Sequence, residues 1–284
     1  MVLGRYIIIF FRDYYRMAEE FLRYEESSLH YVIEGTGSKT LLVFHGFGQT
    51  RKAFDKFSTS LSSEYTLYIF DLYFHGQSQW GYDEKPLEKS LWKKTISRFL
   101  EIHPIDRFSL CGFSLGGKFA LATLEAFPEK VQSLILIAPD GIKTSFWYSL
   151  ATYPMFFRQF FKSMILHPSR FATLSRTLKS VGALDKGLIR FAEHHMDTEE
   201  KRRKVYYSWV VFRHLNFDLK SVADLINKYS IRLILITGKF DKVIRSENMN
   251  RLLLHVKNYK HEILETGHNG LINESADFLK NYSD

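Results

Sequence analysis

The chain has 284 residues, 45 % of them hydrophobic, which is enough to bury one large core with a small insertion. Its 25 % charged residues match the globular norm and exclude wholesale disorder, and its one cysteine, Cys111, excludes an internal disulfide. The formal charge of +8 is concentrated, because residues 142–217 hold thirteen Lys or Arg against five Asp or Glu while the remainder is balanced.

The first stretch, MVLGRYIIIFFRDYYRMAEE, carries an apolar run far shorter than the roughly 20 residues that span a bilayer. Arg12, Asp13 and Arg16 follow at once with no small-residue cleavage pattern, which argues against a secretory signal. Two readings stay open: an extension preceding a start at Met17, or a short interfacial helix using Tyr6, Ile7, Phe10 and Phe11. Residues 1–27 are therefore set apart as an N-terminal extension.

From Ser28 the pattern becomes regular. SLHYVIEGTG reads as an edge strand, and TLLVFHGFG (Thr40 to Gly48) as a buried strand opening into a glycine-rich loop. Helical spacing from Arg51 to Leu61 precedes the buried strand YTLYIFD (Tyr65 to Asp71). A loop leads to a helix over about Leu87 to Ile102, then to the strand RFSLCGF (Arg107 to Phe113), in which Cys111 reads as a small buried apolar residue. A helix over Gly117 to Phe127 stops at Pro128, and VQSLILIAP (Val131 to Pro139) is the next strand. After a long helical segment come the strands IRLILITG (Ile231 to Gly238) and KHEILETG (Lys260 to Gly267), with a last helix in LINESADFLKNY. Alternating apolar strands and helices predict an α/β fold, a mostly parallel sheet with helices on both faces.

The strand-to-helix turn carries G-x-S-x-G as Gly112, Phe113, Ser114, Leu115 and Gly116. A serine on so sharp a turn presents its hydroxyl at the end of the sheet, and the helix behind it aims backbone N–H groups and a positive dipole end at the same spot. Gly112 and Gly116 give the backbone room to double back. The bland alternative is an ordinary connection with a structural serine.

Three further signals accompany the turn, and with them the chain resembles the α/β-hydrolase superfamily from Ser28 to its end. HGFG (His45 to Gly48) resembles the loop that supplies one oxyanion-hole N–H. Asp71, His75, Gly76 and Ser78 match D-x-x-x-H-G-x-S, with Asp71 and His75 read as groups that anchor a loop. GKFDKVI and TGHN set Asp241 and His268 after the two late strands, in the order Ser, Asp, His that this fold uses. The resemblance implies Ser114 as nucleophile, His268 as base and Asp241 as the acid that orients it, with Asp140 as reserve acid. The backbone N–H groups of Phe47 and Leu115 would meet the oxyanion, and no cofactor and no metal is implied. Ester hydrolysis is the default expectation; amide, thioester and carbon–carbon bond hydrolysis use the same logic, and a non-catalytic ligand-binding member of the fold is the rival.

Residues 28–140 and 218–284 are assigned to the hydrolase core and 141–217 to an all-helical cap. Phe146, Trp147, Tyr148, Phe156, Phe157, Phe160 and Phe161 crowd this cap, so it should line an apolar pocket suited to an acyl or aromatic substrate. The run Lys201, Arg202, Arg203, Lys204 reads as a solvated helix face. A sharper expectation is that basic and aromatic residues draw the cap to an anionic membrane surface. The setting expected is cytoplasmic and reducing, peripheral to the inner membrane face. No zinc-finger spacing, RNP-type motif or helix-turn-helix points to nucleic acid, and the sequence leaves the oligomeric state open.

Overall fold

The structure is a computed structural model that describes residues 18–143, 146–167, 169, 170, 173 and 196–282. Eight strands, β1 (Ala18–Tyr24), β2 (Ser27–Glu34), β3 (Lys39–Phe44), β4 (Tyr65–Phe70), β5 (Phe108–Phe113), β6 (Val131–Ile137), β7 (Arg232–Gly238) and β8 (Tyr259–Leu264), form one sheet in the order β1-β2-β4-β3-β5-β6-β7-β8. The strands from β4 to β8 pair in parallel, while β1 and β2 join antiparallel.

The period-2 pattern of the parallel strands explains both faces of the sheet. In β3, Leu42 and Phe44 enter one core layer while Leu41 and Val43 enter the other. Leu134 and Leu136 alternate with Ile135 and Ile137 along β6, and Leu233 and Leu235 with Ile234 and Ile236 along β7. Strands apolar on both sides must be covered on both sides. The helices α2 (Lys89–Ile102), α3 (Gly116–Ala126) and α7 (Leu219–Lys228) place Trp92, Phe119 and Val222 in the first layer. The second layer takes Phe57 from α1 (Asp55–Leu61) and Leu271 and Ala276 from α9 (Leu271–Asn281), while the short α8 (Asn250–Leu253) adds Leu252 and Leu253 to the first.

Two expectations are corrected at the sheet edge. Residues 18–27 belong to the sheet: β1 pairs with β2 from Ala18↔Ile33 to Tyr24↔Ser27 around a turn at Glu25 and Glu26. The strand read as the edge, β2, is therefore interior, bonded to β1 on one side and to β4 on the other. The interfacial helix expected around Tyr6, Ile7, Phe10 and Phe11 lies outside the described residues.

Between β6 and β7 the described chain is helical, with α4 (Phe146–Thr152), α5 (Met155–Leu166) and α6 (Glu199–Val211). Phe161, Met164 and Ile165 of α5 pack on Val205, Tyr206 and Val210 of α6 as a separate small core. Arg202 is a correction to the solvated run. It is buried, and its guanidinium donates to the carbonyls of Ile165, Met196 and Asp197 at 3.1–3.3 Å, tying α6 to α5.

Candidate active site

The loops after β3, β5, β6, β7 and β8 all leave the carboxyl end of the sheet, where the strand order reverses between β3 and β5. Such a switch point opens the crevice in which α/β sheets bind ligands. Ser114 stands there with φ of 49°, a left-handed conformation that a residue with a Cβ holds only when its surroundings enforce it. They do: its N–H donates to the Ile137 carbonyl at 3.0 Å, and its own carbonyl accepts from Gly117 at 2.9 Å and Asp140 at 2.8 Å. A Cβ on Gly116 would stand 2.0 Å from the Phe44 carbonyl oxygen, and one on Gly112 2.6 Å from that of Gly116. The tight turn therefore needs both glycines.

Ser114, His268 and Asp241 are brought into one hydrogen-bonded chain. His268 Nε2 lies 3.1 Å from Ser114 Oγ, and His268 Nδ1 lies 2.7 Å from Asp241 Oδ2. A carboxylate only accepts, so the imidazole proton sits on Nδ1 and the Nε2 lone pair faces the serine hydroxyl. The other oxygen, Asp241 Oδ1, accepts from the backbone N–H groups of Val243 and Ile244 at 2.7 and 2.9 Å. The Asp241 side chain is wholly buried while that of His268 keeps 15 % exposure, which leaves the ring accessible at the mouth of the site. Phe113 supports the ring from behind, centroids 4.9 Å apart.

The two expected oxyanion-hole residues sit on two different loops. Leu115 directly precedes α3, and Phe47 sits in the loop after β3. Two histidines brace that loop. His45 is fully buried, donating from Nδ1 to the Gly46 carbonyl at 2.7 Å and accepting the Leu72 N–H at Nε2, 3.0 Å away. Burial pushes its pKa down to about 4, so it is neutral near pH 7 and can accept at Nε2. His75 Nε2 accepts the Gly48 N–H at 3.0 Å, and the Phe47 ring meets the His75 ring edge-on at 5.3 Å. Asp71 sits beneath, accepting from Arg51 and Gln77 N–H groups and from His30 Nδ1.

Asp140 is not brought to His268. Its Oδ1 accepts the Gly141 N–H at 2.7 Å, and its Oδ2 lies 3.5 Å from Lys118 Nζ. Lys118 is a residue that sequence reasoning missed. It is buried on α3 one turn past Ser114, with its ammonium 4.4 Å above the Tyr148 ring of α4. Burial opposes its charge, yet the Asp140 carboxylate and Tyr148 raise its pKa above the ordinary lysine value. Tyr148 in turn donates to the Trp209 carbonyl at 3.1 Å, so one buried cation links α3, α4 and α6. A lysine inside GKFALATLEAF was the available signal. Glu84, also missed, accepts from Lys162 of α5 and from Tyr206 of α6, which bonds these two helices to the loop after β4.

Comparison with known proteins fits this architecture. Residues 39–275 match the alpha/beta hydrolase fold family, and the chain belongs to that family. It is 35 % identical over 104 residues to a pimeloyl-[acyl-carrier protein] methyl ester esterase of Klebsiella pneumoniae, covering 37 % of this chain and 38 % of that one. A Mycobacterium tuberculosis protein is 30 % identical over 128 residues, 43 % of this chain and 36 % of that protein. The chain thus spans well under half the length of these curated relatives. A bacterial membrane phospholipase A shares the fold, with a TM-score of 0.64 at 19 % identity over 93 % of this chain and 84 % of that one. So does naproxen esterase of Bacillus subtilis, with a TM-score of 0.60 at 15 % identity over 94 % and 92 %.

Proposed function

We propose that the chain is a serine hydrolase that cleaves carboxylic esters with an apolar acyl or aromatic part through an acyl-enzyme. The observation that carries this reading is the unbroken hydrogen-bonded line from Ser114 Oγ through His268 to Asp241. A serine hydroxyl is a weak nucleophile at neutral pH and needs a base in contact with it. His268 takes the Ser114 proton as Oγ attacks the ester carbonyl, and the carbonyl oxygen takes the negative charge. The backbone N–H groups of Phe47 and Leu115 then meet that charge, an interaction typically worth about 10² to 10³ in kcat per donor. His268 returns the proton to the departing alcohol. Water repeats the sequence on the acyl-enzyme, releases the acid and regenerates Ser114. Asp241 holds the imidazole in the productive tautomer throughout and stabilises its cation.

Two observations support an apolar ester. Phe47 packs on the small core shared by α5 and α6, whose members include Phe161 and Tyr206, so these two helices act as a cap that walls the site with apolar groups. The relatedness to a methyl ester esterase favours esters over the amides, thioesters and carbon–carbon bonds that the same triad serves. Hydrolysis of p-nitrophenyl esters from acetate to palmitate is the test. Turnover that rises with chain length supports the reading, and no turnover across the series would remove it.

A further inference from the structure

Helix α5 has two apolar faces. Its inner face, Phe161, Met164 and Ile165, is buried against α6 over the Phe47 loop. Its outer face carries Met155, Phe156, Phe157 and Phe160, which are 65 %, 74 %, 40 % and 41 % exposed. Adjacent exposed aromatic side chains on consecutive turns mark an interaction surface, since leaving them in water is unfavourable. Phe156 stands out from the helix, a shape that inserts into a partner instead of receiving one.

We infer that this face docks on the surface of an anionic lipid bilayer. Arg158 lies between Phe157 and Phe160 in the same helix, while Lys162, one turn on, is held by Glu84 and takes no part. The cap holds the chain's whole positive excess, thirteen basic against five acidic residues over 142–217. Aromatic side chains buried in the interface, with cations held at the headgroups, are the combination that binds anionic membranes. The same charge opposes pairing of two copies through this face, because two strongly basic caps would meet. Among the described residues no helix is long and apolar enough to cross a membrane, so the contact is peripheral. The docking element differs from the basic run in α6, where Arg202 is buried and Arg203 is paired with Glu199. Because α5 is one helix thick, about 10 Å, a docked bilayer lies close to the site. Esters held in the lipid surface are then the substrate class; this last step rests on the ester-hydrolase reading, whereas docking does not.

The test is co-sedimentation of the full chain carrying Ser114→Ala with phosphatidylcholine vesicles, with and without phosphatidylserine. Binding to the anionic vesicles, weakened in high salt, is expected. Phe156→Glu with Phe160→Glu should lower it by about tenfold or more, while Leu254→Glu, an exposed apolar residue outside the cap, leaves it unchanged. An unchanged circular dichroism spectrum and unfolding temperature of the double variant show that it folds. Equal binding of the double variant and its parent would overturn the inference. So would equal binding to neutral and anionic vesicles, or a dimer that the double variant dissolves. Vesicle binding without esterase activity would sink the ester reading alone.

Discussion

His268 Nε2 and Ser114 Oγ, 154 residues apart in the chain, meet at 3.1 Å because two parallel strands deliver their following loops to the same end of the sheet. The contact is held from behind on both sides. Carbonyls and amides of neighbouring loops fix the Ser114 backbone, and the buried Asp241 carboxylate fixes the ring.

The two candidate acids separate by mutation. Asp241→Asn should lower kcat on a p-nitrophenyl ester by about 10⁴-fold with the fold intact, because the amide favours the wrong imidazole tautomer. Asp140→Asn should change kcat by less than about tenfold, since its partners are Gly141 and Lys118. Steady-state kinetics decide between them; an equally large loss for both would reverse the assignment of the acid.

Glycine at the elbow is a packing requirement. Gly116→Ala places a methyl 2.0 Å from a backbone carbonyl, and the backbone must shift to admit it. The expected cost is about 1–3 kcal/mol of stability, together with lost activity. Gly267→Ala, whose methyl would find its nearest neighbour 3.8 Å away, should unfold close to the parent temperature. Calorimetry of the two variants checks the contrast.

His45 makes stability depend on acid. Its pKa falls from the ordinary 6.5 to about 4 in the folded chain, so between those values the unfolded chain binds more protons. Stability is full above pH 6.5 and declines as pH falls toward 4, at a rate on the order of 1 kcal/mol per pH unit. Denaturant unfolding of His45→Asn across this range should show a shallower decline than the parent. Parallel curves would show that His45 is not the group responsible.

Glu84 bonds α5 and α6 to the loop after β4. Burial works to raise its pKa, but the hydrogen bonds from Lys162 and Tyr206 hold it below the ordinary 4.5. A carboxylate with a depressed pKa contributes stability above its unfolded value and loses it as pH falls through the folded one. The parent cap should therefore become sensitive to pepsin only below about pH 4.5, and Glu84→Gln should be more readily cut within the cap at neutral pH by trypsin. Fragment masses report the site of cutting.

Much of this was legible in the chain. The buried strands declared themselves because each must be apolar on both faces, and Ser114 because it follows such a strand; His268 follows the half-exposed edge strand β8 and stood out by its place between Gly267 and Asn269 in the loop after it. β1 was missed because AEEFLRY is an edge strand with solvent on its outer side, and its turn uses Glu25 and Glu26 instead of the usual Asn-Gly pair. Asp140 and Asp241 both follow strands, so spacing alone left the choice of acid open; the hydrogen bond from His268 Nδ1 goes to Asp241. Lys118 escaped notice and Arg202 was read as solvated because charged side chains ordinarily are, and only tertiary structure supplies the carboxylate, ring and carbonyls that hold them inside.

The most direct test of the proposed chemistry is reaction with a fluorophosphonate probe followed by peptide mapping. Stoichiometric labelling on Ser114, abolished in Ser114→Ala and slowed strongly in His268→Gln, is the expected result. Absence of labelling in the folded parent, or labelling that persists unchanged without the Ser114 hydroxyl, would contradict it.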